Sequence, residues 1–366
     1  MILSTNICGI NLDNPLLPGS GPLTGDAERI LAIENTGVGA LVTKTIAPLA
    51  AQVVRPCIVK KDGVIMNCES WSEFSSDQWI DYILPEVTRK IQRPLLASVG
   101  YNKDDYLKIV PKIDHLVQGY ECLVQFHSNS GDYSEVGDSV RTFSSLTEKP
   151  IWVKMSGLKP DPVGFAQICV DAGAQGVVAI TSLGPCMAID IATRRPLIGL
   201  GTGYSWASGP AIKPLALSII YTIKKALPSI SIIGSGGIAT AEDVIEFLLA
   251  GADAVEMLST AMMKGIRAYR QIIEKLPETL KKYYFTDINQ VKRERLTVHE
   301  PTTKPTMPLI NKNLCTGCGL CERCCPYSAM QMEQSIAKVE MTKCFGCGLC
   351  QTSCPFGAIS GVLSRM

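Results

Sequence analysis

The sequence predicts an α/β protein in which a (β/α)₈ TIM barrel is followed by a small cysteine-rich domain. Residues 35–44, 171–180 and 249–258 each place a glycine after a helix end and before a short apolar run. Such runs are typical of buried parallel strands, and about eight strand–helix units fit into roughly 280 residues. We therefore expect a barrel over residues 1–300 and a second domain over residues 301–366. A doubly wound sheet is the alternative for the larger domain.

The other barrel elements follow the same alternation. Four further apolar runs have the length of barrel strands: residues 94–100, 121–126, 150–156 and 231–237. Two amphipathic stretches have the period of surface helices: residues 213–227 and 240–251. The proline-containing stretch 296–310 has little periodicity, which indicates a linker to the second domain.

Composition limits the class of protein. The chain has 366 residues, 46% of them hydrophobic, and a net charge of +1. This predicts a soluble globular protein without a nucleic-acid or anionic-membrane surface, which also argues against a tRNA-reducing enzyme. The N-terminus does not read as a signal peptide, and no apolar run approaches the ~18 residues of a membrane span. We expect a cytoplasmic protein.

The cysteines of the second domain follow one spacing twice. Nine of the fifteen cysteines fall between residues 315 and 354. Eight of them form two runs of Cys-x₂-Cys-x₂-Cys-x₃-Cys-Pro, the spacing of two-cluster ferredoxins, and Cys324 is left over. Zinc sites and disulfides are the alternatives, but neither usually takes this doubled pattern. We expect two [4Fe–4S] clusters.

In such ferredoxins the fourth cysteine of each run binds the cluster of the other run. This crossing rule assigns the first cluster to Cys315, Cys318, Cys321 and Cys354. It assigns the second cluster to Cys344, Cys347, Cys350 and Cys325.

The carboxyl ends of barrel strands are where barrel enzymes hold their chemistry. Lys44 and Lys154 end otherwise apolar strands, which indicates a negative group above the barrel mouth unless both simply extend to water. The stretches 234–238 and 258–263 lie where strands 7 and 8 end, the usual phosphate site of a barrel. Together they predict a phosphate-bearing cofactor.

FMN is the cofactor that suits both domains. Iron–sulfur clusters pass single electrons, most organic substrates exchange two, and a flavin does both. The chain has no strand followed by Gly-x-Gly-x-x-Gly at a helix start, so no dinucleotide module is predicted. The electron partner is then a ferredoxin or an FAD/NAD(P)-binding reductase subunit. We also expect a homo-oligomer.

Five segments resemble a known family: "NPLLPGSGPLT" (14–24), "LVTKT" (41–45), "VKMSG" (153–157), "ASGPAIKPLAL" (207–217) and "IIGSGGIATAEDVIEFLLAGADAVEMLSTAMM" (232–263). They resemble the dihydroorotate dehydrogenase family of FMN barrels. With the doubled cysteine runs, the chain is most similar to the FMN and iron–sulfur part of dihydropyrimidine dehydrogenase.

The resemblance implies contacts with FMN at these positions: Gly19, Ser20, Lys44, Thr45, Gln125, Lys154 and Thr181. It places the FMN phosphate near Ser208, Gly209, Gly236, Gly237, Ser259 and Thr260. It also implies that Asn67, Glu69 and Ser182 orient the substrate, with Lys154 and Lys44 stabilising the reduced flavin.

The segment after strand 4 departs from the family pattern. Gln125 stands where asparagine is usual, and Ser128 stands where the proton-transferring residue is expected. His127 is the rival for that role because its unperturbed pKa is better suited. Thr181 and Ser182 replace the usual Asn-Thr after strand 6. These changes leave open whether the substrate is a pyrimidine.

We therefore expect an oxidoreductase that moves a hydride between flavin N5 and a C–C single or double bond of a small substrate, with electrons passing through the clusters. The alternative is an electron-transfer or assembly subunit whose barrel has lost this chemistry.

Overall fold

The computed structural model describes residues 1–124, 133–199, 201–294, 296 and 305–363. The chain divides into two compact units, Met1–Leu296 and Thr297–Met366. No helix in the described part of the chain combines the length and apolar character that crossing a bilayer requires.

A parallel sheet of eight strands forms the centre of the first unit. Numbered 1 to 8 along the chain, the barrel strands are Leu16–Pro18, Leu41–Val42, Leu95–Tyr101, Gly119–Val124, Ile151–Met155, Gly176–Ala179, Ser231–Ser235 and Ala254–Met257. Hydrogen bonds connect them in the order 1-8-7-6-5-4-3-2. The Gly39 N–H, just before strand 2, donates to the Leu16 carbonyl of strand 1 at 2.8 Å. The sheet therefore returns to its first strand, and the predicted (β/α)₈ barrel is confirmed over the open, doubly wound sheet.

Gly39 is required at this seam. A Cβ atom at position 39 would lie 1.9 Å from the Asn14 carbonyl oxygen, which is backbone and cannot move aside. We expect Gly39→Ala to lower the free energy of unfolding by about 1–3 kcal/mol or more, measured by urea denaturation. Gly25→Ala is the control, because its nearest neighbour at 3.2 Å is the flexible Arg29 side chain. Equal midpoints for the two variants would contradict this account of the seam.

In the described residues a barrel helix follows each barrel strand, with further short helices after strands 2 and 8. These barrel helices are Ala27–Glu34, Leu84–Thr88, Lys103–Ile113, Ser134–Ser144, Pro162–Asp171, Lys213–Ala226, Ala241–Ala250 and Arg267–Lys282. The seventh shows why such segments begin and end where they do. Thr240 and Asp243 form a capping box at its start, and Gly251 ends it at φ 115°.

The lower end of the barrel interior is apolar and closed. A hairpin of Thr5–Ile7 and Ile10–Leu12 covers the amino-terminal ends of the strands. Its side chains pack with inward-facing residues of seven strands: Leu17, Val42, Leu96, Trp152, Val178, Ile233 and Ala254. Because this end is filled, a ligand can enter the barrel only from the carboxyl ends of the strands.

A four-stranded antiparallel sheet lies in the insertions after barrel strands 2 and 6. Its strands, in sheet order, are Leu183–Cys186, Ser205–Ser208, Val64–Asn67 and Ile58–Lys61. Asn67 pairs with Trp206 across it, and the Asn67 amide Nδ2 donates to the Trp206 carbonyl at 3.3 Å. This sheet joins residues from two distant insertions at one edge of the barrel mouth.

The second unit has a repeated architecture of short elements. Two short helices, Leu320–Arg323 and Leu349–Ser353, each follow a glycine in the left-handed conformation. Two antiparallel pairs of strands accompany them: Leu309–Ile310 with Ile359–Ser360, and Met330–Glu333 with Ile336–Val339. The repetition of the cysteine spacing is therefore matched by a repetition in the fold.

Candidate functional site

A cleft at the carboxyl ends of the barrel strands gathers most of the predicted site residues. Those lining it are Gly19, Ser20, Lys44, Thr45, Asn67, Glu69, Lys154, Thr181, Ser182, Ser208, Gly236, Gly237 and Ser259. Two predicted cofactor residues do not line it. The Thr260 hydroxyl instead donates to the Ile238 carbonyl at 2.6 Å, and Gly209 lies behind Gly237. Gln125, His127 and Ser128 lie outside the described residues.

Lys44 is neutralised by carboxylates that follow its own strand. Its Nζ lies 3.0 Å from both Glu73 carboxylate oxygens and 3.5 Å from Glu69 Oε1. Burial raises the pKa of Glu69. For Glu73, burial acts to raise the pKa, but the hydrogen bond from Lys44, a backbone hydrogen bond and the charges of Lys44 and Arg29 together outweigh it, and the pKa is lowered. The negative partner of Lys44 is therefore supplied by the protein.

Lys154 is held by two glutamates inside the barrel. Its Nζ donates to Glu121 Oε2 at 2.7 Å and to Glu256 Oε2 at 3.1 Å. Strands 5 and 8 are not adjacent, so the contact with Glu256 crosses the interior. Burial acts to lower the pKa of Lys154, but the two carboxylates outweigh it and the pKa is raised. Burial raises the pKa of Glu256 to about 8.

Sequence reasoning did not find these glutamates. Glu121 and Glu256 are each 1% exposed, within the apolar runs "ECLV" and "AVEM". The sequence feature that could have identified them is a single carboxylate at an inward-facing position of a buried strand, because a buried charge must be paired. The lysines did indicate a negative group, but that group is the protein's own side chains.

A chain of hydroxyl groups connects Glu121 with the cleft. The Ser98 hydroxyl donates to Glu121 Oε1 at 2.7 Å. Thr45 Oγ1 lies 3.1 Å from Ser98 Oγ, and Ser20 Oγ lies 3.3 Å from Thr45 Oγ1. Because the Ser98 hydroxyl donates its only hydrogen to Glu121, Ser98 Oγ accepts the hydrogen bond from Thr45 Oγ1. Ser20 and Thr45 both line the cleft, so a continuous chain of side-chain hydrogen bonds connects the buried Glu121 with it.

The glycine turn after strand 7 is open towards the cleft. Gly236 and Gly237 have φ values of 110° and 97°. A Cβ atom at position 237 would lie 2.9 Å from the Gly209 carbonyl oxygen and from the Lys213 amide nitrogen. Ser208 and Ser259 line the cleft with this turn. Bare backbone and hydroxyl groups of this kind fit a phosphate group.

The cysteines of the second unit form two groups around small cavities. One cavity is lined by Cys315, Cys318, Cys321 and Cys354. The other is lined by Cys325, Cys344, Cys347 and Cys350. In the described residues no three metal-ligating side chains converge on a single ion. A cubane does not require this, because each of its cysteines binds a different iron.

Backbone amides surround these sulfur atoms. The N–H groups of Ala329, Ala337 and Ala358 donate to the sulfurs of Cys325, Cys315 and Cys354 at 3.3 to 3.5 Å. Four glycines adopt positive φ within the runs: Gly317, Gly319, Gly346 and Gly348. Such amides stabilise the charge on cluster-bound thiolates. The residues present therefore fit iron–sulfur clusters.

Sequence comparison finds a matching family for each of the two units. The family described as "Dihydroorotate dehydrogenase" matches residues 2–280, and the "4Fe-4S dicluster domain" matches residues 314–358. The chain belongs to the dihydroorotate dehydrogenase family. The family implies FMN, and the dicluster domain implies a [4Fe–4S] centre. Like its relatives, the chain is an oxidoreductase that acts on CH–CH groups.

Similar members of the family come from bacteria and archaea. Dihydroorotate dehydrogenase A (fumarate) of Lactobacillus helveticus is 34% identical over 300 residues, covering 78% of this chain and 96% of the relative. The catalytic subunit of dihydroorotate dehydrogenase B (NAD(+)) of Geotalea uraniireducens is 33% identical, covering 79% and 96%. The corresponding subunit of Pyrococcus abyssi is 27% identical, covering 79% and 98%.

Proposed function

We propose that this chain is an FMN-dependent oxidoreductase acting on a neutral, pyrimidine-like ring, as in dihydropyrimidine dehydrogenase, with two [4Fe–4S] clusters carrying the electrons. When bound, FMN would exchange a hydride at N5 with the substrate and single electrons with the clusters. The observation that carries the proposal is the cleft itself. It brings the open glycine turn at Gly237 and the buried ammonium of Lys154 to one barrel mouth.

The charges of the cleft favour an uncharged substrate. Lys44 and Lys154 are the cations among the described lining residues, and each is already paired with carboxylates. Among the described residues a substrate carboxylate would find no free counter-charge, and it would face Glu69. The Asn67 amide and the Glu69 carboxylate instead suit the C=O and N–H edges of a pyrimidine ring. This supports a dihydropyrimidine rather than a dihydroorotate substrate.

The chain's own residues divide the remaining tasks. Lys154 keeps its proton because Glu121 and Glu256 both accept hydrogen bonds from it, so it supplies a fixed positive charge to the cleft. Asn67, Glu69 and Ser182 orient the substrate at the rim. Ser128 or His127 delivers the proton to the carbon that does not receive the hydride.

The second unit supports two clusters and an electron partner. Each cysteine group contains three residues of one run and the fourth of the other, as the crossed arrangement requires. We propose a ferredoxin or an FAD/NAD(P)-binding reductase subunit as the partner. In support, one similar relative is named the catalytic subunit of an NAD(+)-dependent enzyme.

Flavin reoxidation tests the proposed activity. Anaerobic protein with FMN and clusters would be reduced chemically and mixed with uracil or thymine, with orotate as the charged comparison. We expect the neutral pyrimidines to reoxidise the flavin, followed by its absorbance, and orotate to react poorly. Ser128→Ala or His127→Ala should slow the reaction by about 10²-fold or more, whichever residue transfers the proton. Reoxidation by protein partners alone would support the electron-transfer alternative and reject the enzyme.

The glycine turn can be tested separately from turnover. We expect Gly237→Ala to raise the FMN dissociation constant by at least about tenfold, because the new methyl group meets two backbone atoms and the φ is strained. Flavin fluorescence quenching measures the constant. Gly9→Ala is the matched control, with a φ of 90° and open space around the position. Unchanged FMN affinity in Gly237→Ala would exclude this turn as the phosphate site.

A further inference from the structure

The buried set of Glu121, Lys154 and Glu256 has an uneven number of charges. It contains two carboxyl groups and one ammonium group, and both glutamates are 1% exposed. If both carboxyls were ionised, one negative charge would remain unpaired in the barrel interior. Such a charge is costly to bury, and a group in this position takes up a proton instead. One of the two glutamates therefore holds a proton.

The hydrogen bonds show which glutamate that is. Both oxygens of Glu121 accept hydrogen bonds, one from Ser98 and one from Lys154. Glu256 accepts from Lys154 only at Oε2, and its buried Oε1 has no partner in the described structure. Glu256 also lines the cleft, whereas Glu121 does not. A proton on Glu256 Oε1 removes the surplus charge and makes this atom a hydrogen-bond donor at the cleft.

Few other groups act on Glu256. On its own strand and the strands beside it, Leu16–Pro18 and Ser231–Ser235, there is no other titratable side chain. The barrel helix packed behind it contributes Tyr269, whose hydroxyl donates to the Met257 carbonyl at 2.6 Å. Across the interior the described titratable partners are Lys154 and Glu121. The protonation of Glu256 is therefore set mainly within this group of three.

We propose that Glu256 is a further cofactor-contacting residue, a neutral carboxylic acid whose Oε1–H donates a hydrogen bond to an acceptor atom of the flavin ring. This inference rests on the proposed function, since it requires FMN in the cleft. It assigns Lys154 and Glu256 different tasks, a fixed charge and a neutral donor. It also gives the second carboxyl group beside Lys154 a function.

The proposal predicts that FMN affinity depends on pH. Burial raises the pKa of Glu256 to about 8, so the group is neutral below that pH and ionises above it. Ionisation removes the donor and leaves one net negative charge beside the flavin. FMN should therefore bind tightly at pH 6 and progressively more weakly as the pH rises through this range.

The test compares FMN binding by three forms of the full chain with its clusters: wild type, Glu256→Gln and Glu242→Gln. Glu242 is a matched control because it pairs with Lys282 on the outer helical layer. Fluorescence quenching between pH 6 and 9 gives the dissociation constant. In wild type and Glu242→Gln we expect it to rise by up to about tenfold per pH unit above the transition. In Glu256→Gln it should change by less than about twofold, because an amide is a neutral donor at every pH.

Infrared spectroscopy of the FMN-free protein gives a second readout that needs no activity. Wild type should show the C=O band of a protonated carboxylic acid at pH 6 that disappears as the pH rises, and Glu256→Gln should lack it. Absence of the band from wild type overturns the inference even if the variant does not fold. Identical pH profiles for wild type and Glu256→Gln, or no such band, would overturn this inference alone. Failure of FMN to bind at any pH would overturn the proposed function with it.

Discussion

Replacing Cys350 with serine should remove one of the two proposed [4Fe–4S] clusters and reduce the iron content from about eight to about four per chain. Cys350 is 9% exposed and lines the second cysteine cavity, so its thiolate has no substitute nearby. Iron analysis and the electron paramagnetic resonance spectrum of the reduced protein measure the loss. Cys324→Ser is the control, because the Cys324 thiol lines neither cavity and faces the Cys321 carbonyl at 3.6 Å.

A double variant tests the crossed ligand assignment. Cys325 belongs to the first run of the sequence but lines the same cavity as Cys350. If the ligands cross, Cys325→Ser combined with Cys350→Ser affects a single cluster and about four irons remain. If each run held its own cluster, the double variant would lose both. Loss of iron from Cys324→Ser would instead show that the cysteine groups are assigned wrongly.

Replacing Lys154 with methionine should have the largest effect on the barrel. It leaves Glu121 and Glu256 buried without their shared cation, and removing one partner from a buried ion pair costs about 3–5 kcal/mol. The loss should grow as the pH rises. Without the lysine the buried carboxyls keep protons that the unfolded chain releases near its ordinary pKa of about 4.3, so unfolding becomes easier at higher pH.

Urea denaturation at pH 5 and pH 7.5 measures this effect. Lys282→Met is the control, since Lys282 pairs with Glu242 at the surface, where ion pairs contribute little. Adding Glu121→Gln and Glu256→Gln to Lys154→Met should restore most of the stability, because neutral amides need no counter-charge. A Lys154→Met variant as stable as the control, at both pH values, would show that the interior charges are not coupled.

Much of the fold followed from local patterns. The stop glycines before apolar runs, such as Gly173 and Gly251, predicted barrel strands because helix ends and buried strands are set by a few neighbouring residues. The antiparallel sheet at the barrel mouth was not predicted. Its strands come from two insertions, and Asn67 meets Trp206 at a separation of 139 residues. Short, partly exposed strands of this kind have no strong periodic signal.

The candidate site, like the fold, was predicted from the sequence only in part. Lys44, Lys154 and the turn at Gly237 were identified because each ends a strand, and strand ends share one face of a barrel. The chain of hydroxyl groups was not, because Ser98 lies 53 residues from Thr45 and 23 from Glu121, the two partners of its hydroxyl. A buried serine in a strand has no distinguishing mark until its neighbours are known.

The sequence by itself determined the strand–helix alternation, the cysteine spacing of the second unit and the glycine turn, since each depends on residues close together along the chain. Only the tertiary structure decided which charges meet. Lys154 contacts Glu121 and Glu256 across separations of 33 and 102 residues. Closure of the barrel brings the inward side chains of non-adjacent strands within hydrogen-bonding distance, and no local pattern encodes that closure.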